Sequence, residues 1–131
     1  MKFLLDTVVW LWSVAEVGRL NQAARDVLEA PEHELYFSAA SVWEIAIKTS
    51  IGKMRLPESP RVLVPRETAR LGLRPLQVSY SHALAVCDLP LLHGDPFDRL
   101  LVAQARSEGL ALITADRDMK LYPVEILWAG R

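Results

Sequence analysis

Apolar residues along this chain fall into short runs and helical stripes, and their alternation predicts its elements. Lys2–Leu5 is a brief apolar run that ends on Asp6, as a buried strand would. Thr7–Val14 follows at once as a helix entered by a tight turn. Leu20, Ala23, Ala24, Val27 and Leu28 recur at helical spacing, with Asn21 as the cap and Pro31 as the terminator. Leu35–Ser38 reads as a second strand. Ser41 to about Ile51 reads as a strongly apolar helix closed by Gly52.

The middle is less regular, because Pro57, Pro60, Pro65 and Pro75 interrupt it. A helix near Arg66–Leu71, a weak strand at Leu73–Val78 and a helix over Ser81–Cys87 are expected there. The clearest helix opens with Asp95 as N-cap, Pro96 in first position and Asp98 in the first turn, and it stops at Gly109. Leu110–Thr114 is then a strand, Asp116 leads a short helical turn, and Glu125–Leu127 is a last strand. Strands alternating with helices predict one α/β domain over residues 1–131 with a short, mainly parallel sheet. Right-handed crossovers put all strand C-terminal ends along one edge, where such folds place their sites.

With 51% hydrophobic and 24% charged residues, the chain is of the ordinary globular class rather than the disordered one. Its formal net charge of -1 gives no overall push toward nucleic acid. Charge is uneven, however. Lys48, Lys53, Arg55, Arg61, Arg66, Arg70 and Arg74 face only Glu58 and Glu67 in the same stretch, which is either a solvated face or an RNA-contacting edge. Cys87 is the only cysteine, which excludes an internal disulfide and suits a reducing, cytoplasmic setting. It is expected as a small buried side chain. The start turns acidic too soon for a signal peptide, and no apolar run reaches membrane-spanning length. His33, His82, His93 and Cys87 form no zinc-type spacing.

The chemistry-bearing residues are acids. Asp6 and Asp116 fall where a strand hands over to a helix or turn, and Glu44 and Asp98 lie near the starts of helices bordering the same edge. All four have apolar flanks, and a buried carboxylate is costly unless paired or metal-bound. Each also has a local structural explanation. Asp6 can cap the helix after it. Glu44 stands three residues after Ser41, the capping-box spacing, and four before Lys48, a helix ion-pair spacing. Asp98 suits a helix N-terminus, and Asp116 can cap the turn holding Asp118.

Together they carry more than each does alone. Two like charges about 4 Å apart repel by roughly 4 kcal/mol at an effective dielectric near 20, so converging acids need a counter-charge. A divalent cation supplies it, and carboxylate ligands suit Mg2+ or Mn2+. Such an ion can activate water and offset the charge of a phosphodiester. Thr7 and Thr114 add hydroxyls beside two of the acids. No Ser/His/Asp or Cys/His arrangement and no Gly-rich phosphate loop competes.

Four segments then resemble the PIN-domain family, and within it the VapC toxin ribonucleases. They are Leu4-Leu5-Asp6-Thr7, the run Ser38 to Lys48 around Trp43-Glu44-Ile45, the run Asp95-Pro96-Phe97-Asp98-Arg99 to Ala105, and Leu112-Ile113-Thr114-Ala115-Asp116-Arg117-Asp118. The resemblance implies a three-layer α/β/α sandwich with an acidic site at the strand ends. It implies that Asp6, Glu44, Asp98 and Asp116 are catalytic and bind Mg2+ or Mn2+, with Thr114 as a supporting hydroxyl and Asp118 as an auxiliary acid. It further implies an endoribonuclease that cuts RNA, forms a homodimer and is inhibited by a cognate antitoxin protein.

Arg99 and Lys48 are either phosphate contacts or salt-bridge partners. His93, five residues before Asp98, is either a proton-transfer group or part of the helix entry. Trp10, Trp12 and Trp43 are either base-stacking residues or core and interface residues. A haloacid-dehalogenase-type phosphoryl transferase would need an acid where Val8 stands, and a receiver domain would need a late lysine that is not in place. The remaining alternative is a PIN-like module that binds a partner or RNA without cutting it.

Overall fold

The computed structural model describes residues 1–131. Strands β1 (Lys2–Leu5), β2 (Glu34–Ser38), β3 (Leu73–Leu76), β4 (Ala111–Thr114) and β5 (Ile126–Trp128) form one sheet in the order β3-β2-β1-β4-β5. Every pairing is parallel, with Leu4 opposite Tyr36 on one side and Leu112 on the other.

The helices are α1 (Thr7–Ala15), α2 (Gln22–Glu29), α3 (Ala39–Ser50), α4 (Pro60–Arg70), α5 (Tyr80–Ala85) and α6 (Pro96–Glu108), with 3-10 turns at Val17–Arg19, Val86–Asp88 and Arg117–Leu121. The strands bury both faces, because successive side chains point to opposite sides of the sheet. Phe3, Leu5, Leu35, Phe37 and Ile113 join Val9, Trp10, Ala24, Ile45, Leu63 and Val64 in one core. Leu4 and Leu112 join Leu101, Val102, Ala105, Met119 and Tyr122 in the other. Helices α1 to α4 therefore cover one face, and α5 and α6 cover the other. This is the expected three-layer α/β/α sandwich.

Chain direction along the sheet reverses at the centre. From β1 the chain steps outward to β2 and β3, then returns to add β4 on the other side of β1. A crevice opens outside the strand ends at such a switch point. Asp6 directly follows β1, and Asp116 lies two residues beyond β4.

Several boundaries differ from expectation for physical reasons. Helix α3 is capped by Ser38, whose Oγ accepts from the Ala40 N–H, so the helix starts before Ser41 and no Ser41–Glu44 capping box forms. Helix α4 begins at Pro60 behind Ser59 and runs through Pro65. Pro60 needs no N–H in the first position. Pro65 forfeits one backbone bond, and burial of Leu63 and Val64 beside it offsets that loss. Pro75 sits in β3, an edge strand, where a missing donor is tolerated.

Helix α5 starts at Tyr80 behind a Ser79–His82 capping box. The last strand lies one residue later than expected. Cys87, expected to be buried, is exposed in the turn after α5. No helix is long and apolar enough to cross a membrane.

Candidate active site

Asp6, Glu44, Asp98 and Asp116 line one cleft of about 460 Å³, together with Thr7, Lys48 and Asp95. The fold brings them there from three sources. Asp6 and Asp116 come from the ends of two adjacent strands. Glu44 comes from the second turn of α3 in one helix layer, and Asp98 from the first turn of α6 in the other. Asp95 caps α6, accepting from Phe97 N at 2.8 Å and Asp98 N at 3.3 Å, and so fixes the turn on which Asp98 stands.

Three of the four acids are almost wholly buried: Asp6 is 4% exposed, Glu44 5% and Asp98 8%. Thr114 Oγ1 donates to Asp6 Oδ2 at 2.7 Å, and the same oxygen accepts from Asp116 N at 3.1 Å. One hydroxyl thus ties the two strand-end acids together. Thr7 Oγ1 does not reach an acid and donates to Ser41 Oγ at 2.8 Å, which joins α1 to α3.

Lys48 Nζ meets Glu44 Oε2 at 2.5 Å, while Glu44 Oε1 is buried with no hydrogen-bond partner. His93 Nε2 lies 2.8 Å from Asp98 Oδ2 and 3.7 Å from Asp116 Oδ2. Its Nδ1 lies 3.8 Å from Asp118 Oδ2. Asp118 is exposed on the rim, and its N–H donates to Asp116 Oδ1.

The charges respond to this crowding. Burial pushes the Asp6 carboxyl up to about 6; the hydrogen bonds from Thr114 and from the Thr7 backbone work against that, and the charges of Glu44 and Asp116 reinforce it. Burial and then the Asp6 charge push Asp98 up to about 7, against the hydrogen bond from His93. That bond to Asp98 raises the His93 imidazole, and the Glu44 carboxylate raises Lys48. The cleft is therefore acid-rich and short of positive charge.

Such a donor set fits a hard divalent cation. An orphaned buried carboxylate oxygen on Glu44 needs a positive partner. His93, Asp98 and Asp116 also offer ligand atoms that all lie within 4.8 Å of one another. A mainly oxygen set of this kind suits Mg2+ or Mn2+.

Other expected residues lie elsewhere. Arg99 is absent from the cleft lining and is committed to the backbone, donating to Pro90 O at 2.8 Å and Val86 O at 3.3 Å and lying 3.2 Å from Tyr122 Oη. It braces the loop before α6 and does not meet the acids. Trp10 is buried in the core, stacked 5.5 Å from Phe37. Trp43 is 62% exposed and packs edge-on against Phe97 at 5.4 Å. Trp12 lines the acidic cleft.

Sequence reasoning gave no site role to Met54, which lines the same cleft, or to Gln104. Gln104 is fully buried, and its Oε1 accepts from Ser38 Oγ at 2.6 Å, which links the start of α3 to α6. The signal at Gln104 was a polar residue on the apolar stripe of α6.

A model of the PIN domain family matches residues 3–125. Ribonuclease VapC22 of Mycobacterium tuberculosis is 33% identical over 120 residues, covering 91% of this chain and 90% of that protein. Ribonuclease VapC16 of the same organism is 38% identical over 58 residues, 44% of this chain and 41% of that protein. Two solved structures share the fold over 98% of both chains. One is VapBC2 from Rickettsia felis bound to a DNA fragment from its promoter, at 17% identity and a TM-score of 0.76. The other is DNA-bound VapBC from Salmonella typhimurium, at 19% identity and a TM-score of 0.71.

Proposed function

Because this chain belongs to the PIN domain family, we propose that it is a divalent-metal-dependent endoribonuclease, the toxin of a toxin–antitoxin pair. The observation that carries this reading is the convergence of Asp6, Glu44, Asp98 and Asp116 on one cleft, with a buried Glu44 oxygen lacking any donor. The names of the two ribonuclease relatives support the reaction class.

In this reading the four acids hold Mg2+ or Mn2+. When bound, the ion supplies counter-charge to a phosphodiester and makes water a better nucleophile. The chain's own residues do the positioning. Thr114 fixes the rotamer of Asp6 and, through Asp116 N, the turn that carries Asp116. Lys48 holds one oxygen of Glu44 and leaves the other free. His93 Nε2 pairs with Asp98 Oδ2 at 2.8 Å and orients that carboxylate, with Asp116 Oδ2 3.7 Å away. Asp118 supports His93 from the rim.

The partner part of the reading is a homodimer bound by a cognate antitoxin. An apolar groove of about 420 Å³, lined by Val42, Trp43, Ala46, Val64 and Leu73, supports a protein partner next to the acids. The single, exposed Cys87 suits a reducing compartment such as the cytoplasm.

The test is calorimetric titration of manganese into wild type and Asp98→Asn, followed by RNA cleavage with and without the metal. The reading expects binding and cleavage in wild type and neither in the variant. A folded wild type that binds no metal and cuts no RNA would instead be a PIN-shaped binding module.

A further inference from the structure

Thr114 couples the two strand-end acids directly, whereas the two helix-borne acids have separate partners. Glu44 rides on α3 and pairs with Lys48, while Asp98 rides on α6 in the opposite layer and pairs with His93. A metal that needs both of them needs α3 and α6 held in a fixed relation.

A buried hydrogen bond spans that gap. Ser38 ends β2 and caps α3, and its Oγ accepts from Ala40 N at 3.0 Å. The same hydroxyl donates at 2.6 Å to Oε1 of Gln104 on α6. Both residues are fully buried. Ser38 stands six residues before Glu44, and Gln104 stands six residues after Asp98. Each acid is therefore about 9 Å along its helix from the bond, and a tilt of roughly 6° there displaces an acid by about 1 Å. An error of about 1 Å in a reacting geometry can cost on the order of a hundredfold in rate.

Trp43 also joins the two helices, packing edge-on against Phe97 at 5.4 Å. Ring pairs accept a range of separations, roughly 4.5–7 Å, whereas a hydrogen bond fixes direction as well as distance. The Gln104 amide is itself held one way round. Its Nε2 donates to Gln77 O at 3.2 Å and toward His82 Nδ1 at 3.3 Å, which leaves Oε1 to accept from Ser38. His82 is buried, and its Nδ1 also accepts from Ser79 N in the capping box of α5. Packing alone would be met by an apolar side chain, as at Leu101 and Val102 on the same helix. A buried amide with every partner in place adds orientation.

We infer that Gln104, acting through Ser38, is a positioning residue for the acidic cleft: their bond sets where Glu44 stands relative to Asp98. This rests on the metal-dependent ribonuclease reading of that cleft. Neither side chain is among those lining it.

The test is manganese titration calorimetry and steady-state RNA cleavage on Ser38→Ala, Gln104→Leu and the double variant, each at a temperature where circular dichroism shows it folded. Each single variant is expected to bind manganese about tenfold more weakly. At saturating manganese, kcat should fall about tenfold while KM for RNA stays at the wild-type value. The double variant should be no worse than the worse single one, because both changes break one bond. Ser38→Thr keeps the hydroxyl and should keep wild-type manganese affinity. It decides the matter against Ser38→Ala if Gln104→Leu does not fold.

Folded single variants that only melt earlier, with manganese affinity and kcat unchanged, would overturn the positioning role. So would losses that multiply in the double variant. Variants that match a wild type able to bind manganese and cut RNA defeat this inference alone. Manganese affinity that falls as expected in a chain that cuts no RNA defeats the ribonuclease reading alone.

Discussion

Thr114 donates a 2.7 Å hydrogen bond to Asp6 across 108 residues of sequence, from the end of one central strand to the end of its neighbour. The bond holds the Asp6 carboxylate in its charged form inside a buried site, opposing the effect of desolvation. Thr114→Val keeps the shape and removes the donor. Asp6 should then titrate higher still, manganese affinity at neutral pH should fall about tenfold, and mildly alkaline pH should restore part of it. Calorimetric titration across pH checks this. Unchanged affinity would mean that the hydroxyl only braces the strand ends.

The raised carboxyls make stability depend on pH in a definite direction. Asp6 and Asp98 titrate near 6 and 7 in the fold, and near 4 when unfolded. The folded chain therefore binds more protons, so this contribution is fully present below about pH 4 and is lost as pH rises toward 7. For Asp6 it is on the order of 3 kcal/mol. Metal-free protein should lose thermal stability between mildly acidic and neutral pH, and added manganese should raise the Tm more at the upper end. Differential scanning calorimetry in chelator, then with metal, shows either this trend or a flat profile that denies it.

Neutralising an acid should separate catalysis from folding. Asp6→Asn and Asp98→Asn relieve repulsion in the cleft and should abolish metal-dependent RNA cleavage while keeping the fold or raising the metal-free Tm by a few degrees. Circular dichroism and a cleavage assay on the same preparations decide it. Variants that unfold would identify these acids as structural.

Gln104 should matter to stability more than its distance from the reaction suggests. Its Oε1 takes the Ser38 hydroxyl, and its Nε2 donates to Gln77 O at 3.2 Å and toward His82 Nδ1 at 3.3 Å. Since Ser79 N also donates to that ring nitrogen, the imidazole proton sits on Nε2, against Glu108 at 2.7 Å. Gln104→Ala strands these groups and opens a cavity, at a cost of about 2–4 kcal/mol. Urea denaturation measures it, and a loss below about 1 kcal/mol would show that water replaces the side chain.

Exposed Trp43 gives the partner reading its own test. Trp43→Glu places a charge on the apolar groove and should weaken the complex with a protein encoded beside it by tenfold or more, with the fold intact. Co-purification and titration of that partner provide the measurement. Full affinity would move the docking face elsewhere.

Asp6 and Asp116 were legible in the sequence because each ends an apolar run, and strand ends in a parallel sheet share one edge. Asn21, Asp95 and Gly109 could be read as caps because those positions have strict local chemistry. Gly109 does adopt the left-handed conformation, with φ 66°. What sequence adjacency could not supply was direction. Arg99 is next to Asp98, yet one residue along a helix is a turn of about 100°, and the guanidinium points into the preceding loop. Met54 joined the cleft through a tight turn at Gly52, and His93 reached Asp98 through a loop, neither of which leaves a periodic trace. Pro65 hid α4, because the loss of one hydrogen bond is visible in sequence and the burial that offsets it is not.

Trp43 and Phe97 each immediately precede an acid, Glu44 and Asp98, and they touch edge to face between the two helix layers. The pair ties the α3 jaw of the cleft to the α6 jaw at the residue just before each acid. Trp43 also lines the neighbouring apolar groove, so that groove and the acidic cleft share a wall on α3.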